Sequence, residues 1–187
     1  MRSQTSPFLA LATVATLALA APAQAGPLLE IVGGSSLIGG DGNSPDSISG
    51  VDGFVGDQNA PFGLKLTRPT SKLTFEFAGS ESGFDNIFTG PDGVGRPEQS
   101  FTFMTLGNPK GFIDFSFTSG GVTPETLSNG DTQPVDTQES DGTMTDMSLF
   151  VAILDNPGGR LGNTALIGFD DGGGSNDDNH DDFIMRV

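Results

Sequence analysis

No cysteine, tryptophan or tyrosine occurs among the 187 residues, and basic side chains are scarce: eight Lys and Arg stand against 24 Asp and Glu, with one His. Without cysteine the chain has no thiol nucleophile, no disulfide, no zinc-thiolate site and no iron–sulfur cluster. A formal net charge of −16 repels phosphate backbones and anionic headgroups, which argues against nucleic acid and against a basic membrane-binding patch. The lone imidazole, His180, sits among Asp178, Asp181 and Asp182, where the negative surroundings favour its cation and make it a poor general base. It reads as a counter-charge to its acidic neighbours, or as a group lying beside a bound ion. Carboxylate pairs for glycoside hydrolysis are plentiful, but the Trp and Tyr platforms of sugar-cleaving clefts are missing. The 15 Phe fall mostly at inward strand positions. On these grounds the chain is expected to be non-enzymatic.

Long apolar runs are also absent. The longest, 8–21, is shorter than the roughly 20 residues that span a bilayer. It follows Arg2 and is closed by Ala23-Gln24-Ala25, the small-x-small pattern of a cleaved signal peptide, so 1–25 reads as an export signal with cleavage before Gly26. The expectation is a secreted or periplasmic protein, with no membrane insertion of the mature chain. An exported chain without disulfides must be held by its core, with help from a bound metal.

The remainder, 26–187, is expected to be a single domain. It sustains no helical stripe, and Gly or Pro interrupts nearly every ten residues. Strand patterns fill it. In 72–77, Leu73, Phe75 and Phe77 share one face while Lys72, Thr74 and Glu76 share the other. Segments 100–106 and 111–118 repeat the theme, with Ile113, Phe115 and Phe117 inward and Asn108-Pro109-Lys110-Gly111 as the turn between them. Segment 149–154 is apolar on both faces, as a central strand would be, and ends at the turn 155–159. Shorter candidates are 28–32, 62–66, 84–88, 164–169 and 183–187. Eight to ten short strands without helices predict an all-β fold, an antiparallel two-sheet sandwich of jelly-roll type, with a closed barrel as the alternative. The stretches 39–61 and 119–147 are acidic and poor in apolar residues and read as loops. Arg68, Arg96 and Arg160, each beside Pro or Gly, read as exposed solubilising charges in loops.

The densest chemistry lies near the C-terminus, where 170–182 packs six carboxylates into thirteen residues between two predicted strands. Two like charges about 4 Å apart cost on the order of 4 kcal/mol at an effective dielectric near 20, so a tight acidic turn calls for a cation. Carboxylate and amide oxygens are hard donors that select Ca²⁺ over transition metals, and Gly173 and Gly174 let the backbone turn. The candidate ligands are Asp170, Asp171, Asp177, Asn179, Asp181 and Asp182. Neither calcium template fits fully. Asp177, Asn179 and Asp181 open like an EF-hand loop, but Asp182 stands where Gly is required, and Gly172 to Asp177 is a single imperfect copy of a repeat-in-toxin nonapeptide.

Leu166-Ile167-Gly168-Phe169-Asp170-Asp171-Gly172-Gly173-Gly174, followed by Asp177-Asp178-Asn179-His180-Asp181-Asp182-Phe183-Ile184-Met185-Arg186-Val187, resembles the closing motif of a group of exported Gram-negative proteins, many with a PEP-CTERM sorting tail. Leu73 to Phe77, with Gly79-Ser80-Glu81-Ser82-Gly83-Phe84-Asp85-Asn86-Ile87-Phe88, is similar to that group's central strand-turn-strand. The resemblance implies a β-rich protein of the cell surface or extracellular matrix. A Pro-Glu-Pro tail does not occur here, which favours free secretion or periplasmic residence. The functional expectation is a Ca²⁺-binding structural protein. The alternative is a Ca²⁺-dependent module for an extracellular glycan, so the expected partners are an extracellular polysaccharide or a surface protein.

Overall fold

The computed structural model describes residues 26–37, 50–56, 58–80, 82, 84–120, 124–133, 147–171 and 182–187. Segment 1–25, with the expected signal peptide, lies outside the described residues, as do Asp177, Asn179, His180 and Asp181.

Among the described residues the chain forms fifteen strands. They are β1 (Leu29–Val32), β2 (Ser35–Leu37), β3 (Gly53–Val55), β4 (Gly63–Leu66), β5 (Thr70–Gly79), β6 (Ile87–Thr89), β7 (Gly95–Pro97) and β8 (Thr102–Asn108). They continue as β9 (Gly111–Phe112), β10 (Ser116–Thr118), β11 (Thr126–Ser128), β12 (Ser148–Ile153), β13 (Leu161–Gly162), β14 (Ala165–Asp170) and β15 (Phe183–Arg186). All pairings among the described residues are antiparallel and make three sheets: β2-β3-β12-β14-β15-β5-β8, β13-β1-β4-β9 and β11-β10-β6-β7. The architecture is an all-β sandwich. One core unites the three sheets, with Leu29, Ile31 and Leu64 from the second, Phe88, Phe117 and Leu127 from the third, and Phe75, Val151, Ile167 and Phe183 from the first. Among the described residues no helix is long and apolar enough to cross a membrane.

β12 is the central strand expected from its pattern. Every residue from Ser148 to Ile153 is buried, with β3 on one side and β14 on the other. Its second face, Phe150 and Ala152, packs against Val51, Val55, Leu166 and Ile184.

The strand pairing and the loops depart from expectation in three ways. The layer facing the seven-stranded sheet is not one sheet but two. Segments 100–106 and 111–118 do not form a hairpin: β8 pairs with β5 in one layer, and the chain then crosses to the other. There the second segment divides, because the Ile113 N–H continues on the Leu64 carbonyl beside β4 while the Phe115 carbonyl already accepts from Asn129 next to β11. Ile113, Phe115 and Phe117 remain inward and buried throughout. Finally, the stretches read as loops contain structure: 39–61 holds β3, with Phe54 buried, and 119–147 holds β11, with Leu127 and Gln133 buried. The Gln133 Oε1 accepts the Leu149 N–H at 2.8 Å, at the head of the central strand.

The two smaller sheets are joined by backbone bonds between Phe62 and Gly130 and Asp131, and beside them by one side chain. Asn129 accepts the Leu64 N–H through Oδ1 at 2.7 Å and donates through Nδ2 to the Leu64 and Ile113 carbonyls, both at 2.7 Å. Gly63 has φ +148, and a Cβ there would lie 1.8 Å from Asn129 Oδ1, so only glycine admits this close bridge. Asn129→Ala takes this partner from the Leu64 N–H and the Ile113 carbonyl and leaves the Leu64 carbonyl with the Ile113 N–H alone. It is expected to cost about 2–4 kcal/mol in urea unfolding, whereas a merely exposed polar contact would give less than about 0.5 kcal/mol.

Arginine behaves differently from the expectation of exposed loop charges. Arg160 is half-buried, donates to the carbonyls of Ile31, Gly33 and Gly34, and stacks 3.9 Å from the Phe54 ring. Arg96 belongs to β7, pairs with Asp92 and covers the Phe103 ring at 3.5 Å. Both act as locks between segments. Arg68 alone is exposed as expected.

Candidate metal centre

The site is assembled by sheet register. Phe169 of β14 lies opposite Phe183 of β15, and both rings are fully buried, so the core fixes how these strands align. Continuing that antiparallel register by one residue sets Asp170 opposite Asp182, at the end where the chain leaves β14 and re-enters β15. Asp171 follows directly, and its N–H donates to Asp182 Oδ2 at 2.9 Å. The carboxylates of Asp170, Asp171 and Asp182 each offer an oxygen within 4.8 Å of the others. Asp170 and Asp171 are only 3% exposed, so water screens their charges poorly. A like-charged pair at this separation costs on the order of 3 kcal/mol at an effective dielectric near 20.

The second half of the site comes from the connection between β5 and β6. Asp171 Oδ2 accepts from Ser82 Oγ at 2.6 Å and from Asn86 Nδ2 at 2.7 Å. Asn86 is fully buried and uses both ends of its side-chain amide: beside the Nδ2 bond to Asp171, its Oδ1 accepts the Gly120 N–H at 3.0 Å, and its backbone N–H donates to Glu98 Oε1. Gly120 approaches so closely that a Cβ would lie 2.6 Å from the Asp85 backbone. The Ser82 hydroxyl also accepts the Phe84 N–H at 2.9 Å, and Ser80 Oγ donates to Glu98 Oε2 at 2.7 Å. A chain of hydrogen bonds therefore runs from the β14–β15 end of the large sheet through Asn86 to β6, to the residue after β7 and to the segment after β10.

Burial pushes the Glu98 carboxyl above the ordinary range, with a smaller push from the charge of Asp171, against hydrogen bonds from Ser80 and Asn86 that lower it. A carboxyl raised on folding weakens the fold as pH rises from its unfolded value, near 4.5, through its higher folded value. Glu98→Gln removes that cost while keeping an acceptor for the Asn86 N–H. The variant is expected to melt at or above the parent temperature at pH 7, with the gap closing below about pH 4, where both forms are neutral. Asp92 and Asp155 run the opposite way. Arg96 lowers the first, and the N–H groups of Asn163 and Thr164 lower the second, so their stabilisation is lost as pH falls below the ordinary Asp range.

Of the six ligands expected from sequence, Asp170, Asp171 and Asp182 are brought together; Asp177, Asn179 and Asp181 lie outside the described residues. Ser82, Asn86 and Glu98 carried no assigned role in the sequence reading. The signal for Asn86 was a polar residue directly before the apolar Ile87-Phe88, with Phe84 close upstream, a place where a buried amide must find partners. Comparison of the chain with known protein families, curated proteins and solved structures finds no match to any of them.

Proposed function

We propose that this chain is an exported, non-enzymatic β-sandwich that binds Ca²⁺ through Asp170, Asp171 and Asp182 and serves a structural role at the cell surface or in extracellular matrix. The supporting observation is the meeting of three carboxylates, two of them buried, at one sheet end. An all-oxygen, multiply anionic donor set suits a hard divalent cation and offers nothing to a soft one. The neighbours of Asp171 suggest what the ion is for. By fixing Asp171 it fastens the β14–β15 end to Ser82 and Asn86, across to the other layer. The two segments that resemble the exported Gram-negative group, around 73–88 and 166–187, contribute to this same place, and 1–25 supplies the export reading.

Calorimetric titration tests this directly. One Ca²⁺ site is expected with a dissociation constant of about 10⁻⁴ to 10⁻³ M, as in extracellular modules, with Mg²⁺ far weaker. Equal affinity for both ions, or no saturable heat, contradicts the reading. Polysaccharide pull-down with and without Ca²⁺ separates a structural role, which retains nothing, from calcium-dependent glycan binding.

A further inference from the structure

We propose that strand β8 is a self-pairing edge through which two copies of this chain join antiparallel, extending the seven-stranded sheet across a two-fold axis. Among the described residues, the three open sheets have six edges. Five of them, β2, β7, β9, β11 and β13, are two or three residues long, and brevity is itself a protection against strand addition. β8 has seven residues, Thr102-Phe103-Met104-Thr105-Leu106-Gly107-Asn108, with no charge and no proline. In a chain of net charge −16 this long edge carries neither charge nor proline, and its one irregularity is Gly107, at φ +72 near its end.

The backbone of β8 is arranged for such pairing. The Phe101 carbonyl accepts the Phe77 N–H, so the alternation of antiparallel bonding turns Phe103 and Thr105 toward β5 and turns Thr102, Met104 and Leu106 to the open side. The side chains of Met104 and Leu106 are 53% and 77% exposed, and Leu106 is the most exposed large apolar residue among those described. They share a face with Lys72, Thr74 and Glu76 of β5.

The occupant that fits is a second copy. Antiparallel docking centred on Thr105 sets Met104 against Leu106 of the second copy and Leu106 against its Met104, a four-residue apolar block across the axis. Charge is also complementary in this register. Lys72 lies beside Leu106 and Lys110 follows Asn108, so one end of the edge is cationic, while Glu76 beside Thr102 makes the other end anionic. The two-fold axis at Thr105 brings the Lys72 and Lys110 end of each copy alongside the Glu76 end of the other. Asp92 and Asp114 line the cleft of about 480 Å³ between β8 and β9, and Asp92 is already held by Arg96. The net charge of each copy opposes approach at low ionic strength and is screened within about 8 Å at 0.15 M salt.

Sedimentation equilibrium of the purified protein at about 0.15 M NaCl tests the proposal. A reversible monomer–dimer equilibrium is expected, weakened at least about tenfold by Leu106→Lys, whose side chain lies in solvent and leaves the unfolding midpoint unchanged. Met104→Pro, which deletes an outward N–H, should act likewise. A Lys72→Glu/Lys110→Glu copy and a Glu76→Lys copy should each pair poorly alone and pair with each other. The proposal is overturned by a protein that stays monomeric up to about 0.1 mM, by a dimer indifferent to Leu106→Lys, by open-ended assembly, or by a β8 edge that takes a foreign peptide strand and not its own copy.

Discussion

Phe88→Ala is expected to cost about 3–5 kcal/mol, a large part of the 5–15 kcal/mol that holds a typical domain. Phe88 sits on β6, in a four-stranded sheet, yet its ring centroid lies 5.1 to 6.5 Å from those of Phe75, Phe101, Phe103, Phe115, Phe117 and Phe183. Phe75, Phe103 and Phe183 belong to the opposite sheet, so this ring fastens the two layers. Truncation removes a fully buried ring and leaves a cavity walled by aromatics whose positions are set by their own strands. Guanidinium unfolding should show the loss as a lowered midpoint with an unchanged slope. A loss under about 1 kcal/mol would mean that the layers are held elsewhere.

The second large effect concerns the ion. On the proposed reading, calcium at a hundred times its dissociation constant is expected to add about 2.7 kcal/mol to the folded state. Asp170→Asn with Asp182→Asn should abolish that gain, since two of the three clustered carboxylates lose their charge. The sign without calcium is the sharper criterion. The amide that replaces the Asp182 carboxylate still offers an oxygen to the Asp171 N–H, and removing like charge relieves repulsion, so in EDTA the variant should be at least as stable as the parent. A variant less stable in EDTA and still responsive to calcium would show that these carboxylates serve the fold alone.

Much of the layer facing the core was legible in the residues. Alternation placed Leu73 and Phe75, two-sided apolarity placed 149–154 at the centre, and the inward set Ile113, Phe115 and Phe117 stands as read. Periodicity reports which face a residue takes but not which strand it pairs with. The expected hairpin across Asn108 to Gly111 is instead a crossing between layers, because pairing is decided by distant partners such as Leu64 and Asn129. Short strands such as β3, in Gly- and Asp-rich sequence, carry too few residues to show a period. At the site, carboxylate density pointed to Asp170, Asp171 and Asp182. Ser82 and Asn86 lie 89 and 85 positions from Asp171, a separation that no local pattern bridges.

A calcium site at the acidic end of β14 and β15, as proposed, stabilises the sandwich only while the ion is bound. Thermal unfolding in EDTA, in millimolar Ca²⁺ and in equal Mg²⁺ reads this out. A rise of several degrees with Ca²⁺ alone, lost in the Asp170→Asn/Asp182→Asn variant, is the expected result. Identical melting in all three conditions would contradict it and leave the carboxylate cluster as part of the hydrogen-bond chain to Asn86 and nothing more.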